Sequence, residues 1–599
     1  MNTNKLRFLL FSLIFIALSR NVAVSQGLTG SILVEDLKQE IFFLASDSLK
    51  GRLPGTPESL IAAQYIADCF ENAGLLLHNE NGMQNFKIIT DVKVDDKTYL
   101  KIGKTKLVVG EDFTPMSFSA NKKLNKKVAF VGYGFDINTD NFKWNDYANI
   151  DVKDKWVIVL RGFPEKDEYA KHFEDFATDR SKAVIARDKG AAGVLFVTPK
   201  SINETDELLH LSYDRSPSDA GIPVANMKRS VANLILKSSN TTIEQLEQSI
   251  LSKNAPASFS TKQKAKAYIG VVKQESDVQN VIAVIEGGNP DFKHEYIVVG
   301  AHYDHLGFGG VGSGSRTPDL HKIHNGADDN ASGVAGLIEL AHNISNKKSR
   351  PDRSILFIAF DAEEMGLLGS KEFINNPTVP LSNIKAMINM DMIGMLDYEK
   401  NAISVGGTKT SLEAEGILDK LKQNVSFKVN YSPDGYGPSD HASFYAANIP
   451  VFYFTTGAHE LYHTPDDDAE YINYESEVEI LNMIRDLIEV LANKDTQITY
   501  QQYGSPQNAN QRFKLKVRLG IIPDMVSADN NGLRVDGVRK GGAADNAGIV
   551  KGDVIVAMNS MPITNIYDYT ARLKQLKVGD RVNVEYIRNN RKEIAIIQF

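Results

Sequence analysis

The sequence predicts an α/β protein: a mixed β-sheet flanked by helices, a β-rich unit inserted ahead of its main strands, and a small β-rich unit at the C-terminus. Three observations carry that expectation. From about Asn280 onward, apolar runs ("NVIAVIEG", "EYIVVGAHYD", "SILFIAFDAEE", "AMINMDMIG", "IPVFYFTTG") alternate with helical segments. Such runs read as strands buried on both faces and joined by helical crossovers, as in a parallel sheet. Upstream, from about Val92, the pattern is shorter β runs ("TYLKIG", "TKLVVG", "KKVAFVGYGF", "DKWVIVLRG", "AGVLFVTP") with one or two helical stretches. Downstream, "TQITYQQYGSPQNANQ" carries no charge and reads as a linker, after which short β runs return around one helical segment, "NIYDYTARLKQL".

Taken in order, the chain divides as follows. Residues 1–25 have Lys5 and Arg7, an apolar stretch from Phe8 to Leu18, and small residues at Ala23 and Ser25. That is the pattern of a secretory signal peptide cut before Gln26, and the apolar run is short of the ~20 residues a spanning helix needs. Residues 26–90 hold two helical segments around the loop "ASDSLKGRLPGTPES" and form the first part of the α/β unit. Residues 91–268 are the inserted β-rich unit, 269–495 the second part of the α/β unit, 496–512 the linker and 513–599 the C-terminal unit.

Bulk composition sets limits. The chain has 599 residues, 42% hydrophobic and 24% charged, which favours several globular domains. The formal net charge is −8, and losing Lys5, Arg7 and Arg20 with the leader would take it to −11, so a nucleic-acid binder is not expected. No further long apolar run occurs, so no stable membrane span is expected in the mature chain. The single cysteine, Cys69, cannot form an internal disulfide and reads as an apolar residue. Export to the periplasm or the exterior is the expected destination.

The chemistry lies just past the carboxyl ends of the apolar runs, the edge where open α/β sheets bind ligands. "VVGAHYDH" supplies His302 and Asp304, "NGADDNASG" Asp328 and Asp329, and "AFDAEEMG" Glu363 and Glu364. "INMDMIG" supplies Asp391, and "ELYHTPDD" supplies Tyr462 and His463. These are the ligand types of zinc and similar cations, and the lack of cysteine excludes a Cys-rich structural zinc site. Asp391 inside an apolar run is notable, because a buried carboxylate must be paired or bind metal. Val334, Leu337, Ile338 and Ala341 give helical spacing over 331–343, which would set Asp328 and Asp329 at a helix start.

This set, H-Y-D, N-G-A-D-D-N-A-S-G, D-A-E-E-x-G, N-M-D-M and Y-H-T-P-D-D, resembles the dizinc exopeptidase family, which includes aminopeptidase S, aminopeptidase Y and the glutamate carboxypeptidases. The likeness covers roughly 26–85 and 270–495 and implies a phosphorylase/hydrolase-like fold. It further implies two Zn²⁺ ions, bridged by Asp329, with His302 and Asp391 completing one site and Glu364 and His463 the other. Glu363 would be the general base, and Asp304 would accept a hydrogen bond from His302 and fix its tautomer. Three carboxylates against two dications leave a residual positive charge, which favours hydroxide over water. "SPDGYGPSDHASF" resembles the segment lining the substrate side, where Tyr436 would donate to the oxyanion or be an ordinary loop tyrosine. Asp440 and His441 would be supporting residues, and His305, His321, His324 and His459 read as spectators.

Two flanking likenesses complete the reading. "DKWVIVLRG" followed by "SKAVIARDKGAAGVLFVTP" resembles a protease-associated domain, an insert that shapes substrate entry. "VRLGII" and "GAADNAGIVKGDVIVAMNSMPI" resemble the carboxylate-binding loop and the turn and strand of a PDZ domain, implying capture of a peptide C-terminus. The activity implied is removal of N-terminal residues from peptide substrates. A carboxypeptidase on the same metal core, a catalytically silent peptide-binding protein and a glutaminyl cyclase are the alternatives.

Overall fold

The structure is a computed structural model that describes residues 31–599 other than 80, 140, 165–169, 171, 215, 217, 400, 504–516, 524–530, 539 and 540. The expected signal peptide and most of the expected linker lie outside the described residues.

The apolar runs assemble one nine-stranded mixed sheet. Its strands, in chain order, are β1 (Leu76–Leu77), β2 (Met83–Val94), β3 (Val271–Ile285), β4 (Tyr296–His302), β5 (Ser354–Phe360), β6 (Ile384–Met390), β7 (Ala402–Gly406), β8 (Lys428–Ser432) and β9 (Val451–Thr455). Their spatial order is β1-β3-β5-β4-β6-β9-β7-β8, with β2 also paired to β3. The strands β5, β4, β6 and β9 run parallel, so their carboxyl ends lie along one edge. "NVIAVIEG" departs from the parallel expectation: it closes β3, which runs antiparallel to β5. Strands β7 and β8 were not evident in the sequence; β7 is antiparallel to β9.

Residues of β4 alternate between two cores, as strand geometry dictates. Ile297, Val299 and Ala301 pack with the helices Val34–Leu44, Pro57–Asn72, Gly333–Ser345 and Tyr474–Ala492. Val298 packs on the opposite face with Phe373 and Phe444, from the helices Leu368–Asn375 and His441–Ala446. Burying one such aliphatic chain contributes ~1.5–3 kcal/mol, which fixes the strand register against slippage. Local signals start the helices: Thr56 accepts from the Ser59 N–H ahead of Pro57, and Asn473 accepts from the Ser476 N–H.

The antiparallel β2–β3 ribbon ends at the Val94–Val271 pair and leads into a second, eight-stranded sheet. That sheet is built from residues 99–269 and includes Lys122–Val131, Trp156–Leu160, Gly193–Val197 and Ser258–Ile269. A third sheet spans residues 521–598, with the helix Ile566–Lys574 beside it. The helix Asp179–Asp188 of the second unit meets the helix Ile566–Lys574 through ion pairs. Arg187 Nη2 lies 2.7 Å from Asp568 Oδ1, and Arg572 pairs with Asp188. Among the described residues, no helix is long and apolar enough to cross a membrane.

One buried cation sets the position of the edge loops. Arg52, the last residue of the short 3₁₀ helix Asp47–Arg52 that follows the first helix, is fully buried. Its guanidinium donates to the carbonyls of Tyr303 (2.7 Å), Asn325 (2.7 Å), Gly326 (3.0 Å) and Leu44. Burial draws its pKa down to about 10, against the pull of Asp304, Asp329, Asp467 and Glu364. Next to it, Gly51 has φ of +69°, and a Cβ there would lie 2.3 Å from the His324 carbonyl oxygen. Only glycine lets the backbone approach that closely. Arg52→Ala would strand several buried carbonyls at ~1–3 kcal/mol each. A marked fall in the urea denaturation midpoint is the expected result, with no recovery in Arg52→Lys, whose ammonium cannot reproduce the planar fork.

Candidate metal centre

The parallel strands deliver their terminal side chains to one point. His302 is the last residue of β4, Glu363 and Glu364 follow β5, and Asp391 follows β6. Asp329 comes from the turn Ala327–Ser332, and His463 from the loop after β9. The expected helix over 331–343 begins at Gly333, so a π-type turn, not a helix N-terminus, presents Asp329. The Asp329–Asn330 peptide bond within it is cis.

Asp329 splits its oxygens between two clusters. Oδ1 lies 3.3 Å from His302 Nε2, which is also 3.6 Å from Asp391 Oδ1. Oδ2 lies 3.1 Å from His463 Nε2, which is also 3.2 Å from Glu364 Oε1. Around a cation with bonds of ~2.0–2.1 Å, tetrahedral ligands sit roughly 3.3 Å apart. The observed spacings fit that, and the donor set of imidazole and carboxylate fits zinc-like cations.

Both imidazoles turn Nδ1 toward a backbone carbonyl. His302 Nδ1 lies 3.2 Å from the Asp304 carbonyl oxygen, and His463 Nδ1 lies 3.0 Å from the Gly314 carbonyl oxygen. A neutral ring that donates Nδ1–H to that carbonyl turns its Nε2 lone pair to the centre. Asp304 was expected to accept a hydrogen bond from His302, and it is the Asp304 backbone carbonyl that faces Nδ1. Its carboxylate stands 3.6 Å from that ring and accepts the backbone N–H groups of Glu363 (2.9 Å) and Glu364 (3.2 Å). Asp304 therefore aims the glutamate pair.

Other supports were not read from the sequence. Asp467 accepts the N–H groups of Asp328 (3.0 Å) and Asp329 (3.1 Å), and burial raises its pKa to about 6. The acid run after His463 in "YHTPDDD" was the available signal. Asn330 Nδ2 donates to the Met390 carbonyl (3.0 Å), and its Oδ1 accepts from Met392 N–H (3.2 Å), tying the turn to the Asp391 loop. Asp328 is used structurally: Oδ1 accepts from Gly394 N–H at 2.7 Å, and Oδ2 stands 3.2 Å from His459 Nε2. His463 has φ of 57°, and Arg316 N–H donates to its carbonyl at 2.9 Å.

His305 is placed differently from its reading as a spectator. It is fully buried, with Nδ1 3.0 Å from Glu364 Oε1 and 3.8 Å from Asp329 Oδ2. Tyr462 stacks on His463 with ring centroids 3.8 Å apart, and His441 is buried against Tyr453. Tyr436 packs edge-on against Tyr445, and its backbone N–H donates to Asp434 at 2.9 Å.

The electrostatics are those of crowded acids. Burial raises the Glu363 carboxyl well above its ordinary range, and Glu364, Asp391 and Asp440 add to the rise, against the pull of His302. Burial also lifts Asp440 to about 7. Burial opposes charge on Asp329 too, but His302 and His463 outweigh it and hold that carboxyl well below the usual range. Burial opposes the His463 imidazolium, while Asp329 and Glu364 raise it to about 10. The centre draws positive charge from whatever neighbour can supply it.

Residues 280–488 match Peptidase family M28, and residues 517–598 match the PDZ domain. Aminopeptidase YwaD of Bacillus subtilis is 27% identical over 337 residues, covering 54% of this chain and 60% of that protein. Leucine aminopeptidase 2 of Trichophyton rubrum is 30% identical over 196 residues, covering 31% of this chain and 35% of that protein. The chain thus spans less than two thirds of the length of these curated relatives. Among solved structures, an aminopeptidase from Aneurinibacillus sp. strain AM-1 is similar at 21% identity and TM-score 0.48, covering 79% of this chain and 97% of that one. A zinc aminopeptidase from Bacillus subtilis is similar at 20% identity and TM-score 0.46, covering 78% of this chain and 97% of that one. Residues 280–488 carry a domain of Peptidase family M28, the dizinc exopeptidase family that the strand-end residues resemble, and residues 517–598 are a PDZ domain.

Proposed function

We propose that this protein is an exported, zinc-dependent exopeptidase that removes N-terminal residues from peptides. The observation that carries the reading is the division of Asp329, with one oxygen toward His302 and Asp391 and the other toward His463 and Glu364. That arrangement suits a carboxylate shared by two cations. On this reading His302, Asp329 and Asp391 hold one Zn²⁺, and Asp329, Glu364 and His463 the other. When bound, such cations lower the pKa of water and polarise a carbonyl.

The chain's own residues do the rest. Glu363 is the general base: it accepts a proton from the attacking water and returns it to the departing amine. Burial raises its carboxyl, which strengthens it as a proton acceptor. Asp304 positions it through the backbone. Tyr436 is assigned, on the family likeness, to hydrogen-bond the oxyanion. The relatives' names, aminopeptidase and leucine aminopeptidase, favour the amino-terminal direction over the carboxypeptidase alternative. Residues 1–25 are the proposed export signal, residues 91–268 the protease-associated insert over substrate entry, and the PDZ domain the binder of a peptide C-terminus.

Asp329→Ala is expected to lose both zinc ions, read as metal per chain after dialysis; retention of two would remove Asp329 from the bridging role. Glu363→Gln should keep its zinc while kcat on a small peptide falls by ~10³, within the range general acid–base groups supply. Acetylating the substrate's N-terminus should abolish cleavage. Unchanged cleavage of the blocked peptide would move the assignment to a carboxypeptidase.

A further inference from the structure

Of the side chains gathered at the centre, His463 has the least support from regular structure. His302, Glu363, Glu364 and Asp391 end or follow parallel strands, and Asp329 sits in a turn whose N–H groups are held by Asp467. His463 lies well past the end of β9 at Thr455, in a run of turns. Its φ of 57° is uncommon for a residue that carries a side chain. Such backbone persists only where the surroundings hold it.

The holding contacts come from residues 314–316, in the glycine-bearing loop after β4. The Gly314 carbonyl oxygen faces His463 Nδ1 at 3.0 Å, and Arg316 N–H donates to the His463 carbonyl at 2.9 Å. The Arg316 guanidinium crosses the turn that leads to His463. Its Nη1 donates to the Glu460 carbonyl at 2.9 Å, with the His459 and Tyr462 carbonyls each at 3.4 Å. Between Gly314 and Arg316, Ser315 Oγ lies 2.8 Å from Nε2 of His324, which is wholly buried. His324 N–H donates to the Gly307 carbonyl at 2.8 Å, which closes the loop on itself. Gly314 has φ of +96°, a conformation that side chains disfavour, so the carbonyl facing His463 depends on glycine. On the opposite side, His459 Nε2 stands 3.2 Å from Asp328 Oδ2 and fixes the start of the turn.

We infer that Arg316 is a positioning residue for His463. Its guanidinium and N–H, together with the Gly314 carbonyl, hold the turn so that His463 Nε2 faces Asp329 and Glu364. The inference rests on the metallopeptidase reading and adds to it the source of one ligand's orientation. Its consequence is local. Loss of the clamp loosens the cation that His463 would hold and spares the one assigned to His302 and Asp391. Arg316 is exposed, so its truncation leaves the cores intact.

Dialysis of the full-length protein against zinc buffers reads the two affinities. Arg316→Ala should weaken one of the two zinc equivalents by ~10-fold and leave the other unchanged, the lower end of the range for groups that support a ligand. The urea midpoint should stay at the wild-type value. Repeating the substitution in His463→Ala locates the effect: with the ligand gone, Arg316→Ala should cost no further zinc affinity. A further loss in that background, an equal loss at both equivalents, or no loss in the single variant would each overturn the assignment. If the single variant is also destabilised, the His463→Ala comparison decides. A wild-type chain that binds no zinc would sink the peptidase reading itself; one that binds two equivalents, both unaltered by Arg316→Ala, sinks only this inference.

Discussion

Carboxylates held close together and out of water repel one another, and the carboxyl edge of the parallel strands is organised around that repulsion. At 4 Å and an effective dielectric near 20, each like-charged pair costs about 4 kcal/mol. Glu363, Glu364, Asp329 and Asp391 meet there, with Asp304, Asp440 and Asp467 close behind and all buried or nearly so. Glu363 and Asp440 answer by binding protons more tightly, and His463 answers by holding its charge. Divalent cations relieve the same imbalance more completely, since each neutralises two carboxylates at once. The fold tolerates the acids because something positive belongs among them.

Keeping those acids in place falls to groups that never face the centre's interior. Asp304 and Asp467 each spend both oxygens on two consecutive backbone N–H groups, one pair at Glu363 and Glu364, the other at Asp328 and Asp329. Such bonds set backbone position directly, where a side-chain contact would leave rotamer freedom. Arg52 does the equivalent from the carbonyl side, joining the loop after β4 to the turn before Asp329. Its positive charge lies beneath the acids without reaching them as a ligand would, so it lowers their mutual repulsion while leaving the donor atoms free.

Much of the centre was legible in the sequence because the strand pattern and the ligand chemistry repeat the same statement. Each of His302, Glu363, Glu364 and Asp391 ends or follows a continuous apolar run, and parallel topology brings those ends together. What escaped was set by tertiary context. Arg52 looks like a surface residue in a Gly- and Pro-bearing loop, and only the packed loops reveal four carbonyls around it. His305 carries no strand-end signature of its own beyond its neighbour Asp304. Strand β8 alternates exposed and half-buried residues and is too short for periodicity to separate from a loop. The turn Ala327–Ser332 delays the following helix because Asp329 and Asn330 take non-helical angles, which apolar spacing does not register.

The ion pairs between helices Asp179–Asp188 and Ile566–Lys574 bear on how such a chain can be rearranged. Asp568 is wholly buried with Arg187, and Arg572 is almost wholly buried with Asp188. Breaking a buried pair by removing one partner leaves an uncompensated charge, at a cost of about 3–5 kcal/mol. Discarding one appendage whole removes the burial along with the partners and returns the other's charges to water, so the contact tolerates loss of a module better than loss of one of its four side chains.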